Sequence, residues 1–177
     1  MALVMDALDA YAALVAKVDA FFGAAARRGA DLACGAGCSA CCRVELSVSP
    51  VEAALVERAV RTRGPWEPAA EGCAMLDAEG RCAVYDARPL VCRSQGLPLA
   101  YPEGTVTPGA IRGHAGSAEL SWCPLNFRRR PPVSADVFDA RRADEALALV
   151  NRAFCAERGR DPLERIPLRT LAARGAD

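Results

Sequence analysis

The sequence predicts a small α+β domain, mainly helical, with a short β-hairpin and long irregular loops around a cysteine-ligated metal centre. Three observations predict it. Apolar residues recur at helical spacing towards both ends of the chain, and one strand–turn–strand pattern lies between them. Nine cysteines punctuate the rest, eight of them in two groups set in Gly- and Pro-rich sequence.

At 177 residues the chain reads as one domain, 1–177, with 170–177 a frayed tail. An apolar content of 52% and a net charge of zero argue against disorder. The same balance argues against general nucleic-acid binding, which needs a basic surface to neutralise phosphates. Arg128-Arg129-Arg130 is the one local basic run, and it reads as a solvated loop. No apolar stretch reaches the ~20 residues of a membrane span. Asp6 and Asp9 interrupt the first apolar stretch and no basic residue precedes it, unlike a secretory signal. The expected location is therefore cytoplasmic, where thiols stay reduced. The cysteines then read as ligands rather than bridges.

Residues 4–27 form the first expected helix, with Val4, Leu8, Tyr11, Val15, Val18 and Phe22 on one face. Arg27 and Arg28 suit its negative end, and Gly29 its stop. The run Cys34-Gly-Ala-Gly-Cys38-Ser-Ala-Cys41-Cys42 follows, with only small side chains between its four thiols. Alternation over Cys42–Val48 predicts a short extended segment. Ser49-Pro50-Val51-Glu52 is a capping box with proline at the first helical position, opening a helix to Arg63 that Gly64-Pro65 ends. Residues 73–85 read as the hairpin, turning at Asp77–Gly80 and bringing Cys73 and Cys82 close together. Pro89 starts a helical turn carrying Cys92 and Arg93. Residues 94–132 read as mainly irregular, a loop long enough to need a tether such as a metal bond through Cys123. Residues 135–157 read as the last helix, burying Val137, Ala140, Leu147, Val150 and Phe154. Its Cys155 reads as a buried, inert thiol.

Thiolate is a soft ligand suited to zinc, Cu(I) and iron–sulfur clusters. Tetrahedral zinc and a four-iron cluster each take about four ligands. Cys34, Cys38, Cys41 and Cys42 with Cys73, Cys82, Cys92 and Cys123 can thus complete two sites, or one site plus reactive or structural thiols. The sole histidine, His114, precludes a multi-histidine site. No spacing points to a hydrolytic triad and no phosphate-binding glycine loop is present. Cys34-x3-Cys38-x2-Cys41 matches the three-cysteine spacing of radical S-adenosylmethionine enzymes, but the helix before it and the lack of a βα repeat argue against their barrel.

Cys34-x3-Cys38-x2-Cys41-Cys42, then Ser49-Pro50-Val51-Glu52-Ala53, then Cys82-Ala-Val84-Tyr85-Asp-Ala-Arg88-Pro89-Leu-Val-Cys92-Arg93, together resemble the YkgJ-type cysteine-cluster family, described as a zinc- or iron-chelating CxxCxxCC domain. The resemblance extends over roughly residues 5–125. It implies metal ligation by Cys38, Cys41, Cys42, Cys73, Cys82, Cys92 and Cys123, with Cys34 at the first position. There the first gap is three residues instead of two, so Cys34 either ligates with altered geometry or stays out of the site. Relatives of that family include flagellin lysine N-methylases, associated with an iron–sulfur cluster. Arg88 and Arg93 flank Cys92 and would offset the charge of about −2 on a four-thiolate site while donating hydrogen bonds to sulfur. The alternative pairs them with Asp77, Asp86 or Glu79.

Three functions compete on these readings. The first is an iron–sulfur protein, the four-iron type favoured, serving modification or electron transfer. The second is a structural Zn2+ module presenting a surface to a protein partner. A disulfide or thiol-exchange protein ranks last. The reaction, substrate and partner are not readable from the residues.

Overall fold

The computed structural model describes residues 6–35 and 37–174. Val4 of the first expected helix, and the last three residues, lie outside them. The described chain is α+β and divides into two compact units. One comprises residues 1–12, 35–90 and 148–177; the other comprises 13–34 and 91–147.

The first unit is built on helix α2, Pro50–Arg63, which begins and ends where its sequence signals lie. Glu52 is buried, yet its carboxylate is fully used: Oε2 accepts from the Ser49 N–H (3.0 Å) and hydroxyl (2.7 Å), and Oε1 from the Leu90 N–H (3.0 Å). A carboxylate buried without such donors would cost several kcal/mol, so the capping residue also fixes where the chain returns at residue 90. Strand β1, Ser47–Val48, pairs antiparallel with a strand at Ile166–Pro167, in the register Val48↔Ile166. The extended segment expected over 42–48 shrinks to these two residues, because Cys42 and the residues beside it turn instead. A helix at Leu168–Ala173 follows, with Leu168 and Leu171 buried against Val48, Val56 and Val60. The frayed tail expected from 170 is thus helical to Ala173, since two leucines three apart give it a face to bury. The hairpin expected at 73–85 keeps its turn but not its strands. Its pairing is a single bridge, Leu76↔Cys82, closed by Gly80 N–H to Asp77 O (2.9 Å).

The second unit holds most of helix α1, Ala7–Arg27, whose first residues belong to the first unit. The helix ends in a Schellman pair: Ala30 N–H donates to Ala25 O (3.1 Å) and Gly29 N–H to Ala26 O (2.9 Å). Gly29 takes the left-handed φ of +77° that this stop requires. Phe21, Phe22, Ala25 and Leu32 pack with Leu97, Trp122 and Phe127.

Residues 94–132 are where the structure departs most from the sequence reading. After a one-turn helix α3, Leu90–Ser94, come β2 (Leu99–Tyr101), β3 (Gly113–Ala115) and β4 (Ala118–Ser121). With β5, Phe138–Asp139, they form a sheet in the order β3-β4-β2-β5. Each strand is too short to show a period of two, and prolines bracket β2 at 98 and 102. Pairing with distant partners, Leu99↔Ser121 and Leu99↔Phe138, makes the sheet. Buried Glu119 holds the connection between β2 and β3 by accepting the Gly104 and Val106 N–H groups, both at 3.0 Å. The last long helix, α4, covers Ala140–Arg158. It starts five residues later than expected because 134–139 form a 3-10 turn and β5, so Val137 precedes the helix. The two-residue strand at Ile166–Pro167 is β6 and the helix after it α5.

The arginine run is a structural feature of this unit. Arg129 donates from Nε and Nη2 to Asp31 Oδ1 and from its backbone N–H to Oδ2, and Arg130 with Arg28 flanks the fully buried Asp136. No described helix is long and apolar enough to cross a membrane.

Candidate metal centre

In the first unit the cysteine run forms two tight turns. Cys38 N–H donates to Gly35 O (3.1 Å) and Cys42 N–H to Ser39 O (2.9 Å). The segment before Cys73 lies directly on the second turn, with Cys73 N–H donating to Cys42 O (2.9 Å). Gly72 makes this approach possible. Its φ is +97°, and a Cβ there would stand 2.6 Å from Cys42 O. Any other residue would be both strained and in collision.

The chain then turns at Asp77–Gly80 and delivers Cys82 opposite Leu76. The buried Asp77 carboxylate fixes this turn by accepting from the Glu79 N–H (3.1 Å), the Arg81 N–H (2.8 Å) and Arg81 Nε (3.1 Å). Cys73 is buried in the core of the unit, and Cys42 and Cys82 pack against that core half-buried.

These thiols sense one another. A hydrogen bond from Cys42 draws the Cys41 thiol down to about 6, helped by its own backbone N–H and the Arg88 charge and opposed by burial. Burial pushes Cys73 up, with the charges of Glu45 and Cys41 adding to it. Burial likewise raises Cys82, Cys73 and Asp77 adding to the rise while the Val84 N–H and Arg88 oppose it. Cys41, Cys42, Cys73 and Cys82 therefore share one neighbourhood, with Arg88 as its cation. The Arg88 guanidinium is itself held, 3.7 Å over the Tyr85 ring with Nε donating to Tyr85 O (2.9 Å). Tyr85 is 45% exposed, and its ring supports Arg88. Cys38 is exposed beside the group, and with Ser39, Cys42, Arg43 and Glu71 it lines an open depression of about 710 Å³.

Among the described residues no three Cys, His, Asp or Glu side chains converge on a single point. The donor chemistry nevertheless fits a soft metal. Besides Cys155, five thiols lie in one unit, two of them joined by the Cys42–Cys73 backbone contact, with one fixed guanidinium to offset thiolate charge.

Cys34, Cys92 and Cys123 belong to the second unit. Cys92 sits half-buried on α3 and Cys123 half-buried after β4. Arg93, the other flank of Cys92, is 7% exposed at its side chain and donates to Asp19 (2.6 Å). Of the acidic residues near them in sequence, Asp77 and Glu79 both bind Arg81. Cys34 is exposed, its Sγ 3.2 Å from Asn126 Nδ2. His114 lies exposed on β3 opposite Glu119. Cys155 is buried in α4 of the first unit, as expected of an inert thiol, and burial raises it. None of the nine cysteines is bridged to another.

Two contributors escaped the sequence reading. Gly72 had a signal, a glycine directly before a cysteine. Asn126 had none beyond its place three residues after Cys123.

Residues 33–110 match the model of the CxxCxxCC family, described as a "Putative zinc- or iron-chelating domain". That segment is similar to the CxxCxxCC domain, and the match supports cysteine-ligated metal binding. It covers a little under half of the chain and stops short of Cys123, a narrower span than 5–125. No curated protein and no solved structure matches the chain.

Proposed function

We propose that the chain is a metal-binding protein whose thiolates hold an iron–sulfur cluster, the four-iron type favoured. The observation that carries this reading is the neighbourhood of Cys41, Cys42, Cys73 and Cys82, closed by the Cys73 N–H to Cys42 O bond and neutralised by Arg88. Four thiolates from the set Cys38, Cys41, Cys42, Cys73 and Cys82 would hold the metal, and Arg88 would offset their charge and donate to sulfur. A bound cluster would supply one-electron chemistry. The chain's own part is to hold the sulfurs and keep Cys73 and Cys82 from water. Preference for iron over zinc rests on the all-thiol donor set, the Cys34-x3-Cys38-x2-Cys41 spacing and the distant kinship with cluster-associated methylases.

The test is elemental analysis of anaerobically purified protein. Iron with an equal amount of acid-labile sulfide, and a brown chromophore, is the expected result. Zinc alone, persisting after anaerobic reconstitution with iron and sulfide, overturns it in favour of the structural module.

That second reading has an observation of its own. Cys73 lies in the hydrophobic core with Met75, Leu76 and Val84, and Cys42 and Cys82 pack against it, so a metal there would also complete the fold. It requires the first unit to unfold when metal is chelated, read by circular dichroism.

A further inference from the structure

Within the first unit, residues of α2, of β6, of α5 and of the loop that leads from α4 into β6 line a cleft of about 180 Å³. Part of its lining is apolar and buried: Ala53, Ile166 and Leu171. The rest is ionic. Arg174 donates to Glu57 Oε1 (3.0 Å), which Arg61 also binds (2.7 Å). Arg160 donates to Glu164 Oε2 (2.8 Å). Both carboxylates of the cleft are therefore already held by guanidinium groups.

Arg165 is the exception among the arginines of this cleft. Among the described residues no carboxylate pairs with it. Its side chain is tethered instead to the backbone, Nη2 donating to the Ser47 carbonyl at 2.6 Å. That tether is built into the fold, because Arg165 directly precedes β6 and Ser47 lies in β1, in the register Ser47↔Pro167. It uses one of the five N–H groups of a guanidinium. Three guanidiniums and two carboxylates line the cleft, and Arg61 shares Glu57 from outside it, so positive charge is left over. Exposed ion pairs alone contribute little and need no such surplus. A guanidinium fixed by the backbone, without a counter-ion and beside apolar surface, presents a fork of donors matched to an oxyanion.

We propose that this cleft binds a small oxyanion, the phosphate or carboxylate head of a ligand, with the Arg165 guanidinium as its principal contact. Arg160 and Arg174, each held by its glutamate, add positive potential around it, and Thr170 brings a hydroxyl to the same lining. The volume is smaller than the ~300–1,000 Å³ of pockets that enclose whole drug-sized ligands, so the cleft takes a head group and leaves the remainder of the ligand outside. The site shares no residue with the thiol group, and the inference is independent of the metal-binding reading.

The test is isothermal titration calorimetry of the purified full chain with sodium phosphate and, separately, with sodium acetate, the ionic strength held constant with sodium chloride. Saturable one-site binding of at least one of the two anions is expected. Binding of phosphate alone assigns a phosphate head, and binding of acetate alone a carboxylate. Arg165→Gln removes the uncompensated guanidinium and should weaken binding by about 10- to 100-fold. Arg165→Lys keeps the charge and a donor for the Ser47 carbonyl but loses the fork, so it should recover only part of that affinity. Arg152→Gln removes the same charge from an exposed position on α4 and should bind as the wild type does. Failure of both anions to bind saturably overturns the inference. Wild-type affinity in Arg165→Gln, or an equal loss in Arg152→Gln, overturns it as well, because general attraction to a cationic surface would then account for the binding. If circular dichroism shows that Arg165→Gln does not fold, Arg165→Lys decides: weakened binding supports the site, and wild-type affinity overturns it.

Discussion

The two units treat their thiols differently. In the first, cysteine sits against cysteine: Cys41 and Cys42 hydrogen-bond, Cys73 feels Cys41, and Cys82 feels Cys73. In the second, the best-defined thiol, Cys34, sits against an amide and a glycine. The first arrangement is what a polynuclear or four-thiolate site needs, several soft donors and a compensating cation. The second fixes one sulfur by ordinary polar packing. Thiol density therefore marks the candidate centre, while individual placement depends on residues that carry no metal chemistry of their own.

The sharpest way to break the comparison is to remove one thiol from each kind of site. Cys42→Ser and Cys73→Ser should lose most bound metal, measured as iron per chain after gel filtration. Cys73→Ser should also unfold at lower denaturant, by about 1–3 kcal/mol, because it places a hydroxyl in an apolar core. Metal content unchanged in both variants would remove the first unit's thiols from the site.

Gly72→Ala tests the backbone contact rather than the ligands. Its Cβ would collide with Cys42 O at a φ closed to alanine, at a cost of about 1–3 kcal/mol. Metal retention should fall with stability, since the same contact carries Cys73 to Cys42. Wild-type stability and retention would show that the approach is not required.

Arg129→Ala probes the polar scaffold of the second unit. The paired Arg129 side chain, with the Arg129 N–H, holds the Asp31 carboxyl down to about 2, below its ordinary 3.8. A depressed carboxyl stabilises the folded chain fully above its unfolded value and loses that contribution as pH falls through its folded one. Between about pH 4 and pH 2 the wild-type denaturation midpoint should therefore fall more steeply than that of Arg129→Ala. Parallel curves would show that the pair contributes nothing. The smallest effect is expected at Cys155, buried away from the thiol group's partners: Cys155→Ala should leave metal content at the wild-type level. A measurable loss of metal would place it among the ligands.

Much of this was legible in the sequence for identifiable reasons. α1 and α2 were readable because their stripes, caps and stops are local, down to Gly29 and the Ser49–Glu52 box. The turn at Asp77–Gly80 was readable because the Asp77 side chain and the Gly80 backbone determine it within four residues. The sequence placed Cys41 and Cys42 in one thiol group and Cys73 and Cys82 in another, and did not show that these four are neighbours. The sheet of the second unit was not legible. Its strands run two to four residues, and β2 pairs with β4 and β5 from distant parts of the chain, so no local period announces them. Nor could Asn126 be found, because a carboxamide takes its role from what surrounds it.

By itself the sequence determined the first two helices, their ends and the abundance of soft ligands. Only the tertiary structure decided which thiols meet, that the Arg88 charge acts on the Cys41 and Cys82 thiols, and that Cys34 lies against Asn126. The physical reason is range. Caps and turns are settled by bonds between residues a few positions apart. A thiol neighbourhood is settled by backbone contacts such as Cys73 to Cys42, which exist only once the core beneath them has formed.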